Sequence, residues 1–528
     1  MNALMSMRDT LRSRVHFLWL VALVTLAVGL RLGYLYWQMN APGFQWSDPD
    51  GYLRQAAALT RSGDWRWTLK AIQYDWGGHT WLLPPGYPVF LSFFVRADSP
   101  DPLAAAVAQA VLGGLASAAM YVYGRSLHTP RTGLIAAFVW AIWFPAVAGR
   151  ETFVQEQLYV PLLWAALAAL AYCISTSPPS RWLFVTGLLL GICALIRAMP
   201  LFFLVILLPL LVLFWRREKD GARRTAAFLG GFALVTATYI AWLSVTVGHL
   251  VLIDDHMMII QTDTADRRSV PSAMAIALGG FVQGVGYKAE LVEGLFKVYG
   301  PSWLYHYGGA VRAEHAPLMG LVVHLSFDTL FVAVALLAPV GLAVARQRQV
   351  SALAVGWIVF GIVASAAAGF TGLRYRAPLE GLLICGAAAL IAGDVRRPSW
   401  TSGGIAVAVS LVMGAITLPA YIDSWSAPVP YGLRGWTGGT GIPQTSARGA
   451  VGFYAPARRG AIDVEIEAMA GTLPADLLVK VEGVPMEQFQ LAPGGHKSVR
   501  IAVGNRLIAF VEIVPQSGEP AYYIRTRR

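Results

Sequence analysis

Long apolar segments recur between residues 15 and 421 of this 528-residue chain, and they restrict its fold more than any other feature. A helix needs about 20 mostly apolar residues to cross the hydrocarbon core of a bilayer. Charged residues make up only 13% of the chain, against about 25% in a typical soluble protein. We therefore predict a polytopic α-helical membrane protein, and we exclude an ordinary soluble chain and a disordered one.

The sequence predicts about eleven spanning helices. They lie near residues 15–37, 103–125, 132–149, 156–174, 181–197, 200–215, 223–247, 318–345, 351–369, 376–393 and 402–421. The first segment is too long for a signal peptide and has no cleavage site, so we predict a retained anchor.

The charges of the connecting segments predict the orientation. One set of connections carries fifteen basic residues and four acidic residues, and basic loops stay in the cytoplasm. The other side receives the long segments 38–102 and 248–317 and everything after residue 421. The N-terminus is therefore predicted to be cytoplasmic and the C-terminus to lie on the outer face.

The composition changes after residue 421. Apolar and polar residues alternate there in four runs, at 461–468, 477–484, 498–504 and 507–514. Alternation with a period of two, interrupted by Pro and Gly, is typical of antiparallel strands. We predict two domains, a transmembrane domain at 1–421 and a small β-sandwich-like domain at 422–528.

The first outer segment begins with FQWSDPDGYLRQAAALTRSGDW (44–65). Asp48, Asp50 and Tyr52 stand where the chain leaves the first span and enters an amphipathic stretch. Aspartate is a favoured N-cap residue, so one interpretation is that an aspartate only caps this helix. The other is that these carboxylates carry chemistry.

The second outer turn is GRETFVQEQLYVPLLW (149–164). Glu151 lies at its edge, and Glu156 lies inside the following apolar segment with Tyr159 on the same face. A carboxylate within a membrane segment is costly and indicates function by default. The alternative is an internal ion pair, for which Arg150 is a candidate.

Two further outer edges carry arginines. Arg197 lies in LIRAMPLFF (195–203), and GFTGLRYRAPLEGLL (369–383) contains Arg374, Tyr375, Arg376 and Glu380. The planar guanidinium fork matches phosphate oxygens. A single arginine at an interface often only reaches towards lipid headgroups, but several arginines beside buried carboxylates favour a phosphate site.

Several short motifs resemble one family when they are taken in order. They are SDPDGY, PPGYPVFL, the E-x-L-Y of 156–159, ALIRAMP and RYRAPLEGLL. Residues 15–395 resemble the GT-C glycosyltransferases, and within them the branch of protein O-mannosyltransferases and aminoarabinose lipid A transferases. The resemblance implies a polytopic enzyme that uses a polyprenyl-phosphate sugar.

The resemblance also implies roles. An acidic residue of the first outer loop is the catalytic base, which matches Asp48. Many members carry an Asp four positions before a tyrosine and a Glu three positions before it. Here Asp48 stands four positions before Tyr52, but Pro49 stands where the Glu would be. Asp50 therefore takes the role of that Glu or has no such role. Glu156 matches the acidic position of the second outer loop. Arg374, Tyr375 and Arg376 match the segment near the lipid phosphate, and we add Tyr52, Glu151 and Arg197 as predicted substrate-binding residues.

This assignment predicts an inverting transfer. A carboxylate takes the proton of an acceptor hydroxyl, the hydroxyl oxygen attacks C1 of the sugar, and cationic groups stabilise the departing phosphate. Negative charge near the oxocarbenium-like sugar helps the transition state. One displacement inverts the anomeric centre.

No cofactor is predicted with certainty. An Asp-Asp-His cluster at 254–256 is either a solvated turn or a set of ligands for Mg²⁺ or Mn²⁺, which prefer oxygen. The three cysteines lie in apolar segments and predict neither a disulfide nor a metal cluster.

Two other classes stay open, a lipid-linked sugar flippase or transporter and a polymer ligase with a diphosphate-linked donor. Asp328 and Glu380 would serve the former as relay groups. The Ala-, Gly- and Arg-rich composition indicates a bacterium, hence the inner membrane, undecaprenyl phosphate as the carrier, and a glycan, lipid or protein acceptor. No nucleic-acid partner is predicted, because the basic residues follow the membrane topology.

Overall fold

A computed structural model describes most of the membrane segments and much of the C-terminal region. The described residues are 2–40, 44, 46, 48, 51–62, 73–76, 79–82, 84–95, 102–148, 152–247, 317–368, 373–393, 400–426, 429–431, 436–437, 444–448, 451–456, 461–468, 474–481, 484–502, 508–516 and 521–526.

The described part contains fourteen helices and twelve strands. The helices are α1 (Asn2–Met39), α2 (Tyr52–Ser62), α3 (Gly86–Ser92), α4 (Leu103–Leu127), α5 (Pro130–Ile142), α6 (Phe144–Val147), α7 (Glu156–Thr176), α8 (Ser180–Ile196), α9 (Met199–Trp215), α10 (Gly221–Val247), α11 (Pro317–Val344), α12 (Arg348–Ala368), α13 (Leu373–Ile391) and α14 (Trp400–Ser426). The strands are β1 (Gln73–Trp76), β2 (His79–Leu82), β3 (Val429–Tyr431), β4 (Trp436–Thr437), β5 (Gln444–Arg448), β6 (Val451–Pro456), β7 (Ala461–Ala468), β8 (Ala475–Val481), β9 (Val484–Leu491), β10 (His496–Ala502), β11 (Ile508–Pro515) and β12 (Ala521–Thr526).

The apolar segments are helical, as the sequence predicts. Each of the eleven predicted spans contains a helix. Within the described residues, six helices are long and apolar enough to cross a membrane, and four shorter apolar helices accompany them. The class of a polytopic α-helical membrane protein is confirmed, while the number of crossings and their orientation stay predictions.

One predicted span is interrupted. The segment 132–149 was expected to be continuous, but α5 ends at Ile142 and Trp143 adopts an extended backbone conformation (φ −65°, ψ 106°) before the single turn of α6. Pro145 explains the break, because it has no N–H to donate to the carbonyl of Ala141. The C-terminal end of α5 therefore has backbone carbonyls that need other donors.

The tail forms two antiparallel sheets of five strands each. Their strand orders are β10-β7-β12-β5-β4 and β3-β6-β11-β8-β9. Burial alternates along β7, as the period-two pattern predicts. Inward-facing residues of both sheets belong to one hydrophobic cluster, with Val464 and Ile466 from one sheet and Val479, Val511 and Ile513 from the other. A β-rich, sandwich-like C-terminal region is thus confirmed.

The chain forms two compact units. The first contains Met1–Trp37, Trp46–Phe296 and Val334–Val412, and the second contains Gln38–Gln45, Lys297–Ala333 and Met413–Arg528. The predicted domain boundary at residue 421 is not tested by this division and stays a prediction. All the site contacts described below lie within the first unit.

Candidate functional site

Asp48 caps the amphipathic helix α2. Its Oδ1 accepts a hydrogen bond from the backbone N–H of Tyr52 at 2.7 Å, and its Oδ2 accepts one from Leu53 at 3.0 Å. Gly51 allows the turn, since its φ of +72° is strained for other residues. The capping interpretation is therefore correct for Asp48. It does not exclude chemistry, because an ionised carboxylate offers about four acceptor positions.

Tyr52 joins α2 to the proline-rich motif that follows. Its ring meets that of Tyr87 edge to face, with 4.9 Å between the centroids and an angle of 86° between the planes. The Tyr87 hydroxyl donates to Gln109 Oε1 of α4 at 2.5 Å. The three side chains are almost completely buried. The N-terminus of α2, and with it the Asp48 carboxylate, is thereby fixed to α3 and α4.

Gly86 brings α3 against the end of α8. A Cβ atom at this position would lie 2.7 Å from Ile196 Cγ1 and 2.9 Å from the Leu195 carbonyl oxygen. Such distances are too short for any side chain, so this close approach requires glycine. The PPGYP motif therefore packs beside the residues that immediately precede Arg197.

Glu156 and Arg197 form an ion pair. Their Oε1 and Nη1 atoms are 2.6 Å apart, and their side chains are 9% and 12% exposed. Glu156 stands in the first turn of α7 and Arg197 follows the last residue of α8, so each charge also complements a helix dipole. The guanidinium carbon lies 6.0 Å from the centre of the Tyr159 ring. The structure thus pairs Glu156 with Arg197, while Arg150, the partner suggested by the sequence, lies outside the described residues.

An aromatic contact joins the two segments that are predicted to lie on the outer face, near Asp48 and Glu156. The Trp46 and Phe153 rings have centroids 5.7 Å apart. Trp46 lies two residues before Asp48, and Phe153 lies three residues before Glu156. The structure therefore brings the segments of both predicted carboxylates to the same region, together with Arg197.

Arg376 forms a second, fully buried ion pair. Its Nε donates to Glu380 Oε1 at 2.9 Å, one turn further along α13, and the side chains are 0% and 2% exposed. The other oxygen, Oε2, accepts a hydrogen bond of 2.6 Å from the indole Nε1 of Trp143. This cluster links α13 to the C-terminal end of α5.

Arg31 is a buried charge that the sequence reasoning missed. It lies in α1, inside a candidate membrane span, and is 0% exposed. Its two Nη groups donate to the carbonyls of Ala141 and Trp140 at 3.3 and 3.2 Å. Arg31 thus supplies hydrogen-bond donors to carbonyls that lost their helical N–H donors where α5 ends. Two features of the sequence could have indicated this contact: an arginine within an apolar segment, and Pro145, which interrupts a neighbouring helix.

Several predicted residues lie outside the described part of the structure. They are Asp50, Glu151, the side chains of Arg374 and Tyr375, and the Asp-Asp-His cluster at 254–256. Within the described residues no group of three or more His, Cys, Asp or Glu could hold a metal ion. The predictions for these positions are untested.

Substituting Gly86 tests the close approach of α3 and α8. Gly86→Ala should reduce the stability of the protein by about 1–3 kcal/mol, the usual cost of overpacking, and should reduce any activity that depends on Arg197. The midpoint of thermal unfolding measures the first effect. Gly29→Ala is the matched control, because a Cβ at Gly29 meets nothing within 4 Å. A Gly86→Ala protein as stable as the control would contradict the packing.

A family model matches part of the chain. The family model described as dolichyl-phosphate-mannose-protein mannosyltransferase matches residues 83–244, which run from the PPGYP motif to α10. No curated protein gives a significant match.

Solved structures of membrane glycosyltransferases are distantly similar. The oligosaccharyltransferase of Archaeoglobus fulgidus, tethered to an acceptor peptide, is 15% identical with a TM-score of 0.41, over 78% of this chain and 54% of that one. ArnT from Cupriavidus metallidurans is 15% identical with a TM-score of 0.41, over 77% and 64%. Arabinosyltransferase EmbB from Mycobacterium smegmatis is 11% identical with a TM-score of 0.29, over 96% and 64%. The chain thus spans about half to two thirds of the length of these structures.

Proposed function

We propose that this chain is a membrane glycosyltransferase of the GT-C superfamily and that it transfers a sugar from a polyprenyl-phosphate donor to an acceptor hydroxyl with inversion. The description of the matching family names dolichyl-phosphate-mannose, a polyprenyl-phosphate sugar. In a bacterium the equivalent carrier is undecaprenyl phosphate, and the reaction takes place on the periplasmic face of the inner membrane. The transferred sugar is a hexose or a pentose.

One observation carries the proposal: separate outer segments converge around charged groups. The Trp46–Phe153 contact brings the Asp48 segment to the Glu156 segment. The close approach at Gly86 brings the proline-rich motif to the end of α8, where Arg197 follows. Inversion at a sugar phosphate requires a base and cationic groups near one another, and this convergence supports such an arrangement.

The reaction assigns a role to each charged group. Asp48 accepts the proton of the acceptor hydroxyl while the oxygen of that hydroxyl forms a bond to C1 of the sugar. The bond between C1 and the phosphate oxygen breaks, and its electron pair stays on the phosphate. Arg376 or Arg374 stabilises the phosphate dianion. The negative charge of Glu156 favours the oxocarbenium-like sugar, and Asp50 is the alternative base.

The remaining predicted residues position the substrates. Tyr52 holds the helix that Asp48 caps, and its buried ring packs on Tyr87. Arg197 balances the charge of Glu156 and is the next candidate for a contact with the donor. Glu151 and Tyr375 complete the proposed substrate-binding set.

A transfer assay tests the proposal against its rivals. Purified protein in detergent or liposomes is given a polyprenyl-phosphate sugar and an acceptor that bears a hydroxyl group. We expect a new glycosidic bond with inverted anomeric configuration and one free polyprenyl phosphate for each sugar transferred. Movement of the lipid across the bilayer without a new bond would identify a flippase instead. Activity only with a diphosphate-linked donor would identify a polymer ligase.

Cysteine labelling tests the orientation. Ser498 is exposed on β10, and the native cysteines in the described part are all buried, so Ser498→Cys should provide a specific label. We expect a membrane-impermeant thiol reagent to modify it in cells with a permeable outer membrane and an intact inner membrane. Lys219→Cys, between α9 and α10, is the matched control and should react only after the inner membrane is opened. The reverse pattern would overturn the orientation.

A further inference from the structure

Trp143 makes a contact that the proposed reaction does not use. This residue follows the end of α5, and its side chain is completely buried. Its indole N–H donates to Glu380 Oε2 at 2.6 Å, while Arg376 Nε donates to Oε1 of the same carboxylate at 2.9 Å. Glu380 is therefore held at both oxygens, by a neutral donor and by a charged one.

The second donor has a geometric consequence. The terminal torsion of a glutamate side chain is broad and roughly two-fold, so a bond to one oxygen does not fix the carboxylate plane. Bonds to both Oε1 and Oε2 do fix it. Because Arg376 is bonded to this carboxylate through Nε, the orientation of its planar guanidinium depends on how Glu380 is held.

The indole also affects the charge balance. A hydrogen bond to an ionised acceptor is short and strong, and burial strengthens it further. The Trp143 N–H stabilises part of the negative charge of Glu380 at Oε2, away from Arg376. The carboxylate therefore neutralises the guanidinium of Arg376 less completely. An anionic ligand is attracted more strongly to Arg376 than it would be if Arg376 were the sole donor to Glu380.

Trp143 is itself held in place. Pro145 cannot donate to the Ala141 carbonyl, and Arg31 supplies donors to the carbonyls of Ala141 and Trp140. The position of the indole is thereby set by α1 as well as by α5.

We propose that Trp143 is a positioning residue for the donor phosphate: through Glu380 it orients the guanidinium of Arg376. The inference rests on the proposed function, in which Arg376 contacts that phosphate. At metal sites, loss of an outer partner that orients a ligand typically lowers affinity or activity about 10- to 100-fold, and we expect an effect at the lower end of that range here.

The test replaces the indole by a ring without a donor. Trp143→Phe should weaken binding of undecaprenyl phosphate to the purified protein about ten-fold, the effect of losing one hydrogen bond to a charged group. The value of kcat/KM for the lipid-linked sugar should fall by a similar factor, because the same guanidinium stabilises the departing phosphate. Trp140→Phe is the matched control, since Trp140 is 3% exposed and donates its indole N–H to the Gly113 carbonyl at 3.2 Å. We expect normal lipid binding from this control.

Arg376→Lys separates failure of the inference from failure of the proposed site. If Arg376→Lys weakens lipid binding and a folded Trp143→Phe does not, the role of Trp143 is wrong and the phosphate site stands. If neither variant changes binding, the phosphate site itself lies elsewhere. Should Trp143→Phe fail to fold, Trp143→His retains a ring N–H. A folded histidine variant that binds as weakly as Arg376→Lys would then overturn the positioning role.

Discussion

Asparagine in place of Asp48 is expected to lower the rate of sugar transfer by about 100- to 10,000-fold, the usual contribution of a general base. The amide has nearly the same shape as the carboxylate but cannot take the proton of the acceptor hydroxyl. Asparagine is also a favoured N-cap, so its side-chain oxygen can replace part of the capping of α2. The substitution therefore separates the chemical role of Asp48 from its structural role.

The measurement is the single-turnover rate with a polyprenyl-phosphate sugar, together with the thermal midpoint of the same preparation. Asp220→Asn is the control, because Asp220 is an exposed aspartate between α9 and α10, far along the chain from the site. It should transfer sugar normally. Full turnover by a folded Asp48→Asn protein would rule out this base. If Asp50→Asn is inactive instead, the base is Asp50, two residues further along the chain.

The helical part of the fold was predictable because burial in lipid demands long apolar segments. A spanning helix has to form its backbone hydrogen bonds internally and present apolar side chains to the lipid. Long apolar segments such as 103–125 and 402–421 are therefore recognisable as helices from the sequence. The break after Ile142 was harder to foresee. It depends on one proline and on an arginine of α1, more than 100 residues away, which bonds the freed carbonyls.

The strands were predictable only where burial alternates. Strand β7 has a strict alternation of buried and partly exposed residues, and it coincides with the predicted run 461–468. Strand β9 was missed. Its sequence, VPMEQFQL, has a proline near its start, and its residues are mostly exposed, so the period-two signal is weak.

The partners of the charged residues were less predictable than the residues themselves. Arg376 and Glu380 stand four positions apart on a helix, a spacing that favours an ion pair, and both had been singled out without being paired. Glu156 and Arg197 are 41 residues apart, and Trp143 and Glu380 are 237 apart. Such contacts depend on how the helices pack, which no local pattern encodes.

Removing one partner of the Glu156–Arg197 pair should strongly destabilise the protein. Glu156→Gln leaves the guanidinium of Arg197 without its carboxylate in a largely buried position. Breaking a buried pair typically lowers the free energy of unfolding by about 3–5 kcal/mol. Arg197→Gln should have a similar effect. The thermal midpoint of each purified variant measures the loss.

The double variant Glu156→Gln/Arg197→Gln distinguishes a structural pair from a functional one. It contains no uncompensated charge, so it should be more stable than either single variant. Sugar transfer should nevertheless remain low, since the proposed reaction uses the negative charge of Glu156 at the sugar and Arg197 near the donor. The exposed pair Asp220 and Arg223 is the control, because its side chains are 63% and 68% exposed and surface pairs contribute little. If transfer recovers with stability in the double variant, the pair only holds α7 to the end of α8, and the charge near the sugar must come from another carboxylate.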